Sequence, residues 1–283
     1  MFIYMNIFFL EPPFDDWTTI INNLKIPNVS IIKNENSILN IKYLMEIIKN
    51  NNCIIIPLKY EDIKFITSNI IPEYIHHFLC PRNYETIEIL NNKTLFYQFM
   101  IENNFQKSIP KTYKINDKLL NPIIYPCIFK LPITFGGHGS HICYNKYQLD
   151  TYENTNIEYF IQEFISGPIE YSAHLFVLDG VIKYGVCYST IHNIKVYIQR
   201  GKMTKYKKIL NFDFDKFSEI FMKLKYTGFA CVDFKIINNS IKIFEINPRL
   251  GGTIVHDQDD FNKLILYLKE NYSNLSVTKY VDA

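Results

Sequence analysis

Two carboxylates, Asp233 and Glu245, lie in a stretch that predicts a pair of strands joined by a polar turn. The stretch, residues 228–252, reads GFACVDFKIINNSIKIFEINPRLGG. If Ile237 pairs with Ile241 across a three-residue turn, Asp233 stands directly opposite Glu245 in the neighbouring strand. Their Cβ atoms are then about 5 Å apart, and two carboxylates at that separation destabilise a sheet unless a cation lies between them. The spacing therefore predicts a cation site.

Asn247 follows Glu245 by two residues and so projects from the same face of the strand. Two carboxylates and an amide oxygen form a hard, all-oxygen ligand set, which suits Mg²⁺ (or Mn²⁺) better than zinc. Arg249 comes next on this face and supplies a second cation for a multiply charged anion. The alternative is a surface hairpin with solvated charges. The spacing argues against it, because a one-residue change of register would destroy the coincidence.

A lysine and a glycine-rich loop follow another apolar strand in the run FKLPITFGGHGS. Lys130 ends the strand, where its ammonium group can bind a phosphate. The glycines after it allow backbone N–H groups to approach phosphate oxygens, because no Cβ is in the way. The loop lacks the GK[ST] ending of a Walker A motif. Taken alone, it fits phosphate binding and simple turn geometry equally well.

A strand edge in the run IQEFISGPIEYS can read an adenine ring. Alternating N–H and C=O groups along such an edge can pair with the base as they would with a neighbouring strand. A carboxylate emerges just past the Gly167-Pro168 turn, where it can accept hydrogen bonds from ribose hydroxyls. The run therefore offers a nucleoside site.

The composition argues against several other classes of protein. The 283 residues carry a formal net charge of +2, which implies no polyanionic partner such as nucleic acid. The six cysteines form no CxxC pair, which favours a reduced, cytoplasmic protein over a disulfide scaffold or a zinc site. The apolar run at residues 2–10 is too short to span a bilayer, so we expect a buried strand and no membrane partner.

Strand and helix patterns alternate in the first part of the chain. Apolar strands are predicted at residues 2–10, 29–32 and 53–57, with helical patterns between them, which indicates a small doubly wound α/β domain. A helix is predicted over residues 94–103, with Leu95, Phe99 and Phe96 on its buried side. Residues 188–208 are predicted to be a polar segment.

These motifs, in this order, resemble the ATP-grasp superfamily of carboxylate–amine ligases over about residues 91–256. The resemblance implies a mixed α/β (α+β) fold in which a small doubly wound α/β domain precedes an ATP-grasp domain. The corresponding segments are 1–90 for the first domain and 91–283 for the second. Within the second domain, a lid subdomain would span about 106–162 and a C-terminal subdomain about 163–283.

The resemblance also implies roles for individual residues. Two lysines would contact the phosphates of ATP, and Arg249 would lie beside the transferred phosphoryl group, so that the catalytic residues would be Lys130 and Arg249. The remaining contacts fall into four sets: Lys93 and Lys130 on the phosphates; Gly136, Gly137, Gly139 and Ser140 as a cover over the phosphates; Gln162, Glu163 and Ile165 at adenine with Glu170 at the ribose; and Asp233, Glu245 and Asn247 on Mg²⁺.

Three features depart from the family pattern. Two residues, not one, separate Gly167 from the ribose carboxylate Glu170, and the proline that usually follows the strand lysine is displaced to Pro132. Cys231 occupies the position where the D-alanine–D-alanine ligases carry an arginine. Arg249, with Arg200 as a further candidate, would then stabilise the oxyanion. The segment with Arg200 and Lys202 is either a substrate-facing loop or a solvated basic turn, and the composition favours the turn.

The resemblance implies an ATP-dependent ligase that joins a carboxylate to an amine, such as that of an amino acid, through an acyl phosphate. The alternatives are an ATP-binding module without turnover, a synthetase that activates bicarbonate or another small carboxylate, and a kinase of the same fold. The expected partners are small-molecule substrates, and a homodimer is compatible with the sequence. The sequence names neither substrate.

Overall fold

Three apolar runs near the start of the chain form a parallel sheet. The computed structural model describes residues 5–33, 40–116, 118–134, 138–153, 157–192 and 205–276. The strands are β1 (Asn6–Leu10), β2 (Val29–Ile32) and β3 (Cys53–Ile56), in the order β2-β1-β3. Helices α1 (Asp15–Asn22) and α2 (Ile41–Asn50) connect them. This confirms the predicted doubly wound α/β arrangement.

Helices carry the chain from this sheet to the next one. They are α3 (Tyr60–Asn69), a 3-10 helix (Pro72–His77), α4 (Tyr84–Asn91) and α5 (Lys93–Glu102). The buried residues of α5 are Thr94, Phe96, Tyr97 and Met100, whereas Leu95 is exposed, so the predicted burial of Leu95 is wrong. The Tyr97 hydroxyl donates to the Phe244 carbonyl at 2.8 Å, which turns this side of α5 toward the third sheet.

The middle of the chain forms a five-stranded antiparallel sheet in the order β5-β4-β8-β6-β7. Its elements are β4 (Thr112–Ile115), β5 (Lys118–Leu119), β6 (Cys127–Lys130), β7 (Ser140–Cys143), α6 (Lys146–Glu153) and β8 (Phe160–Glu163). A short 3-10 helix, Gln106–Ser108, precedes this sheet. Lys130 pairs with Ser140 across the β6–β7 hairpin, so the glycine-rich loop connects these two strands.

The last part of the chain forms a second five-stranded antiparallel sheet, in the order β11-β10-β9-β12-β13. Its strands are β9 (Ile169–Leu178), β10 (Val181–Ile191), β11 (Lys205–Ile209), β12 (Gly228–Ile237) and β13 (Ser240–Asn247). Its helices are the 3-10 helices Phe214–Phe217 and Gly252–His256, with α7 (Ser218–Leu224) and α8 (Gln258–Ser276).

The predicted polar segment at residues 188–208 is only partly correct. Strand β10 continues to Ile191, and Tyr188 is fully buried, because it stacks on Tyr206 and donates to Asp260. Arg200 and Lys202 lie outside the described residues. Apart from Glu163 at the end of β8, each sheet falls within one predicted segment, and the domain boundaries stay predictions.

The third sheet is covered on both faces by apolar side chains. On one face, Phe176 and Phe229 pack with α8 and with the first sheet. On the other, Ala230 and Val232 pack with residues of α5 and α7. All six cysteines lie among the described residues, are buried and form no disulfide. None of the described helices combines the length and apolarity needed to cross a membrane.

Gly228 offers a test of how the N-terminal segment packs on the third sheet. Its φ is +130°, and a Cβ atom there would lie 2.9 Å from the Cα atom of Cys80. Gly167 has a similar φ of +115° but open space around it, so it is a matched control. We expect G167A to lower the free energy of unfolding by about 1 kcal/mol through backbone strain alone. We expect G228A to cost about 1–3 kcal/mol more through overpacking.

Urea denaturation of both variants measures the difference. Equal losses would show that the segment around Cys80 moves aside freely, and that its packing on β12 contributes little to stability.

Candidate active site

The hairpin of β12 and β13 places Asp233 directly opposite Glu245, as predicted. The turn that does so differs from the prediction. Ile237 pairs with Ser240, and the turn consists of Asn238 and Asn239, both in the left-handed region at φ +49° and +62°. Such a two-residue turn fits the twist of a hairpin. Ladder pairing then shifts by one residue between Asp233 and the next pair, and this bulge restores the predicted opposition.

Each carboxylate of this pair has partners. The Ser172 hydroxyl donates to Asp233 Oδ1 at 2.5 Å. Lys93 Nζ lies 3.1 Å from Glu245 Oε2, and Asn247 Nδ2 donates to Glu245 Oε1 at 3.2 Å. One ammonium group therefore offsets part of the repulsion between two facing carboxylates. The predicted metal ligands are together at one end of the hairpin.

A buried histidine, which was not predicted from the sequence, supports the loop after β13 through hydrogen bonds. The Gly251 N–H donates to His174 Nδ1 at 3.2 Å, and His174 Nε2 lies 2.7 Å from Thr253 Oγ1. Since Nδ1 accepts a hydrogen bond, Nε2 carries the proton and donates to the threonine hydroxyl. A Cβ atom at Gly251 would lie 2.4 Å from Cys231 Sγ. His174 and Cys231 thus set the path of the loop that carries Arg249.

Lys93 joins this hairpin to the loop after β6. It is the first residue of α5, where the Asn92 side chain caps the helix by accepting from the backbone N–H groups of the next turn. Its backbone N–H donates to Pro132 O at 3.0 Å, and its Nζ donates to Thr134 O at 2.8 Å. Lys93 therefore contacts the glycine-rich segment and a candidate metal ligand at once.

Lys130 ends β6 and lies against two aromatic rings. Its Nζ is 5.9 Å from the centroid of Phe160 and 5.4 Å from that of Phe244. Loss of hydration, together with repulsion from Lys93, lowers the pKa of Lys130 to about 8. The only hydrogen bond described for its ammonium group is a long one, 3.4 Å, to Gln162 Oε1. With respect to the part of the chain that the structure describes, much of the hydrogen-bonding capacity of this ammonium is left for a ligand.

The side chain of Gln162 has partners inside the second sheet, and its predicted place at adenine stays a prediction. It is fully buried, accepts from Lys130 and donates to Thr112 Oγ1 at 3.1 Å. It therefore links the strands on either side of β8 and contacts Lys130. The sequence carried no sign of this, since the partners lie on two other strands of the sheet.

The strand edge after β8 has a buried lysine beneath it. Lys235 is 4% exposed, and its Nζ donates to Ile165 O at 3.1 Å and to Gly167 O at 2.9 Å. Burial lowers the pKa of Lys235, and the charge of Glu170 opposes this shift. Lys235 was not predicted, although its place two residues after Asp233, on the same face of β12, could have indicated it. It fixes the backbone of the predicted hinge.

The glycine-rich loop is described only in part. Gly136 and Gly137 lie outside the described residues. Gly139 has φ +67°, and its carbonyl accepts from the Leu131 N–H at 3.1 Å, which closes the end of the loop against β6. A Cβ atom at Gly139 would lie 2.8 Å from Leu131 Cδ1. Turn geometry alone thus requires this glycine.

Most of the predicted site residues line one cleft of about 860 Å³. Those that line it are Lys93, Lys130, Ser140, Glu163, Ile165, Glu170, Asp233, Glu245, Asn247 and Arg249. Of the predicted residues that the structure describes, Gly139 and Gln162 do not line it. In the described part of the chain, no three His, Cys, Asp or Glu side chains form a metal-binding group, so the candidate metal site consists of two carboxylates and an amide.

The donor set fits a hard divalent cation, and the cleft fits a nucleotide. Both carboxylates face one region, and the amide oxygen of Asn247 is adjacent, which is the ligand chemistry of Mg²⁺. Lys93 and Lys130 supply positive charge for phosphates in the same cleft. The structure thus brings together, in one place, groups that can bind a metal and a polyanion.

Known structures share this fold at low sequence identity. D-alanine–D-alanine ligase from Bacillus anthracis aligns with a TM-score of 0.60 at 16% identity, over 96% of this chain and 98% of that one. N5-carboxyaminoimidazole synthetase from Staphylococcus aureus aligns with a TM-score of 0.63 at 12% identity, over 93% and 77%. L-amino acid ligase from Bacillus licheniformis aligns with a TM-score of 0.53 at 12% identity, over 94% and 74%.

The B. anthracis enzyme also aligns in its complex with ATP, with a TM-score of 0.56 at 17% identity, over 96% of this chain and 97% of that one. No curated protein matches the chain. A family model described as an ATP-grasp domain matches residues 90–253, which is more than half of the 283 residues. The matched range begins just before Lys93 and ends just after Gly252, so it contains every predicted site residue. The chain belongs to the ATP-grasp family.

Proposed function

We propose that this protein is an ATP-dependent ligase that joins a carboxylate to the amine of a second small molecule, through an acyl phosphate. The observation that carries the proposal is the shared cleft, in which two lysines face the Asp233–Glu245 pair beside Arg249. Membership of the ATP-grasp family and the likeness to ligase structures support it.

The nucleotide would lie along the cleft between the second and third sheets. Ile165 and Glu163 line the cleft at the end of β8, and Lys235 holds the Ile165 carbonyl from behind. The Ile165 N–H and the Glu163 carbonyl are then the backbone groups of the hinge that would pair with adenine. Glu170 lines the same part of the cleft and would accept hydrogen bonds from the ribose.

Lys93 and Lys130 would bind the phosphates, and Asp233, Glu245 and Asn247 would hold Mg²⁺. When bound, the ion would neutralise phosphate charge as a Lewis acid. The lysines add fixed positive charge in a partly dehydrated cleft, where it is worth more than in water. Positioning and electrostatics would therefore provide most of the rate acceleration.

The chemistry requires no nucleophile from the protein. A carboxylate oxygen of the first substrate attacks the γ-phosphorus of ATP, the bond to the β–γ bridging oxygen breaks, and ADP leaves with that electron pair. The neutral amine nitrogen of the second substrate then attacks the acyl carbon, and the bond from carbon to the phosphate oxygen breaks. Phosphate leaves with that electron pair, and the nitrogen loses a proton to water. Arg249 would stabilise the negative charge that develops on oxygen in both steps.

The proposal is tested by supplying Mg-ATP with pairs of amino acids and small carboxylates, and measuring ADP, phosphate and product mass. We expect ADP release that depends on both partners, with an equal yield of phosphate and of an amide. A stable phosphorylated product would instead identify a kinase. A bicarbonate-dependent reaction would identify a bicarbonate-activating synthetase, and tight ATP binding without any turnover would identify a binding module.

Replacing Glu245 with glutamine tests the metal assignment. The substitution keeps the shape of the side chain but removes a formal charge from the ligand set. We expect the rate of ADP release at saturating ATP to fall by at least about 100-fold, because an electrostatic contact to the reacting group is lost. The melting temperature should change little.

The matched control is E219Q, which removes a carboxylate from the exposed first turn of α7, outside the cleft. We expect it to behave like the parent protein. An undiminished rate in E245Q would show that the ion binds elsewhere.

Lys130 predicts a pH dependence of nucleotide binding. Its pKa is lowered to about 8, so the ammonium is charged below that pH and neutral above it. Only the charged form attracts phosphate, and phosphate itself loses its last proton near about pH 6. We therefore expect the affinity for a non-hydrolysable ATP analogue to fall as pH rises through about 8, approaching tenfold per pH unit above the pKa.

Calorimetric titrations across this pH range measure the effect. In K130M, which keeps apolar bulk and has no titrating group, affinity should be lower at neutral pH and independent of pH in this window. K223M, at an exposed position in α7, should keep the parent profile. A parent profile that is flat through pH 8 would exclude Lys130 as the titrating phosphate ligand.

A further inference from the structure

The cleft has a wall that the ATP-binding residues do not form. It is built by the first sheet: Pro13 and Phe14 follow β1, and Leu58 and Lys59 follow β3. Because β1 and β3 are neighbouring parallel strands, both segments leave the carboxyl edge of the sheet side by side. The order of the strands therefore places these two segments next to each other in the wall of the cleft.

The topology makes this edge a crevice. Helix α1, which follows β1, packs its Trp17 and Ile20 on one face of the sheet, where Ile54 also lies. Helix α3, which follows β3, packs its Ile63 on the opposite face, together with Ile55. The connections from β1 and β3 thus run away from each other on opposite faces, and such a switch point is where open α/β sheets bind ligands.

The side chains at this crevice are apolar, with charges of both signs beside them. Phe14 lines the cleft and is nevertheless 72% exposed, so a large aromatic surface meets solvent there. Trp17 lines the cleft next to it. Lys59 and Glu61, at the start of α3, line the same wall. An ammonium, a carboxylate and an aromatic surface match the three parts of an amino acid with an apolar side chain.

The loop after β13 leaves room for such a ligand. Arg249, Gly251 and Gly252 line the same cleft as the residues that follow β1 and β3. A Cβ atom built on Gly252 would meet no other atom within 4 Å, so the cleft is open where this loop passes. A ligand there would share the cleft with Lys130 and Glu245.

We propose that the crevice between the Phe14–Trp17 segment and Arg249 binds an α-amino acid with a bulky apolar side chain as one of the two substrates. This rests on the proposed ligase function for the role of the ligand, but its binding is a separate property. The side chain packs on Phe14, beside the buried Trp17. The zwitterionic head group lies by Glu61, Lys59 and Arg249.

The chain contains one tryptophan, so Trp17 reports on this crevice without any need for turnover. Trp17 emission is followed while L-leucine, L-phenylalanine or L-aspartate is added to the protein saturated with a non-hydrolysable ATP analogue and Mg²⁺. We expect a saturable change with leucine and phenylalanine and none with aspartate. In F14S, the dissociation constants for the two apolar amino acids should rise at least about tenfold, because a buried aromatic contact is lost.

The matched control is Y147S, which removes an aromatic side chain that is 81% exposed and does not line the cleft. It should bind leucine like the parent protein. Since Phe14 is itself largely exposed, F14S should fold, and an unchanged affinity for the ATP analogue confirms that it has.

The two proposals fail in different ways. Saturable binding of leucine that F14S weakens, without amino-acid-dependent ADP release, would overturn the ligase function and leave the crevice assignment standing. ADP release that depends on aspartate or glycine and is the same in F14S would support the ligase function and overturn the crevice assignment. Equal binding of aspartate and leucine in the fluorescence titration would also overturn it.

Discussion

Two carboxylates held face to face on neighbouring strands repel each other, and the rest of this site supplies the positive charge that offsets this repulsion. Asp233 and Glu245 are opposite each other in a sheet, an arrangement that raises the free energy of the folded state unless positive charge is near. Lys93 supplies that charge at 3.1 Å from Glu245, from a helix far away in the sequence. The hairpin, α5 and the loop after β6 are therefore coupled, because the same ammonium group also bonds the Thr134 carbonyl.

The opposition of these carboxylates could be predicted from the sequence, but two local errors cancelled in doing so. The predicted turn was one residue too long, whereas Asn238 and Asn239 form a two-residue turn. A bulge then takes up the extra residue near Phe244. The Phe244 carbonyl accepts from the Tyr97 hydroxyl, 147 residues away, and a hairpin sequence carries no information about such a contact.

The alternation of strands and helices in the first domain followed from apolar periodicity alone, and so did the position of Lys130 at the end of a strand. The roles of Gln162, His174 and Lys235 did not. Each is a buried polar side chain whose partners lie on other strands or in distant loops. A buried polar group without partners raises the free energy of the folded state, so a buried polar residue indicates a specific hydrogen bond. The sequence does not say which residue is the partner.

The loop after β13 depends on one such network. Cys231 packs against Gly251, and His174 bonds the Gly251 N–H. Arg249 lies on the loop that this cysteine and histidine support, and it lines the cleft. Buried residues of β9 and β12 therefore set the position of this positive charge.

The contacts of Lys93 and Lys130 allow a phosphate to bind while the described hydrogen bonds of Lys93 are kept. A lysine ammonium has three donors, and the described contacts of Lys93 use two of them, to Glu245 and to Thr134 O. The third remains for a phosphate oxygen. Lys130 has a single long hydrogen bond among the described residues and a lowered pKa, so it gains most from an incoming anion. Lys93 is thereby suited to hold the site together, and Lys130 to bind the phosphate that arrives there.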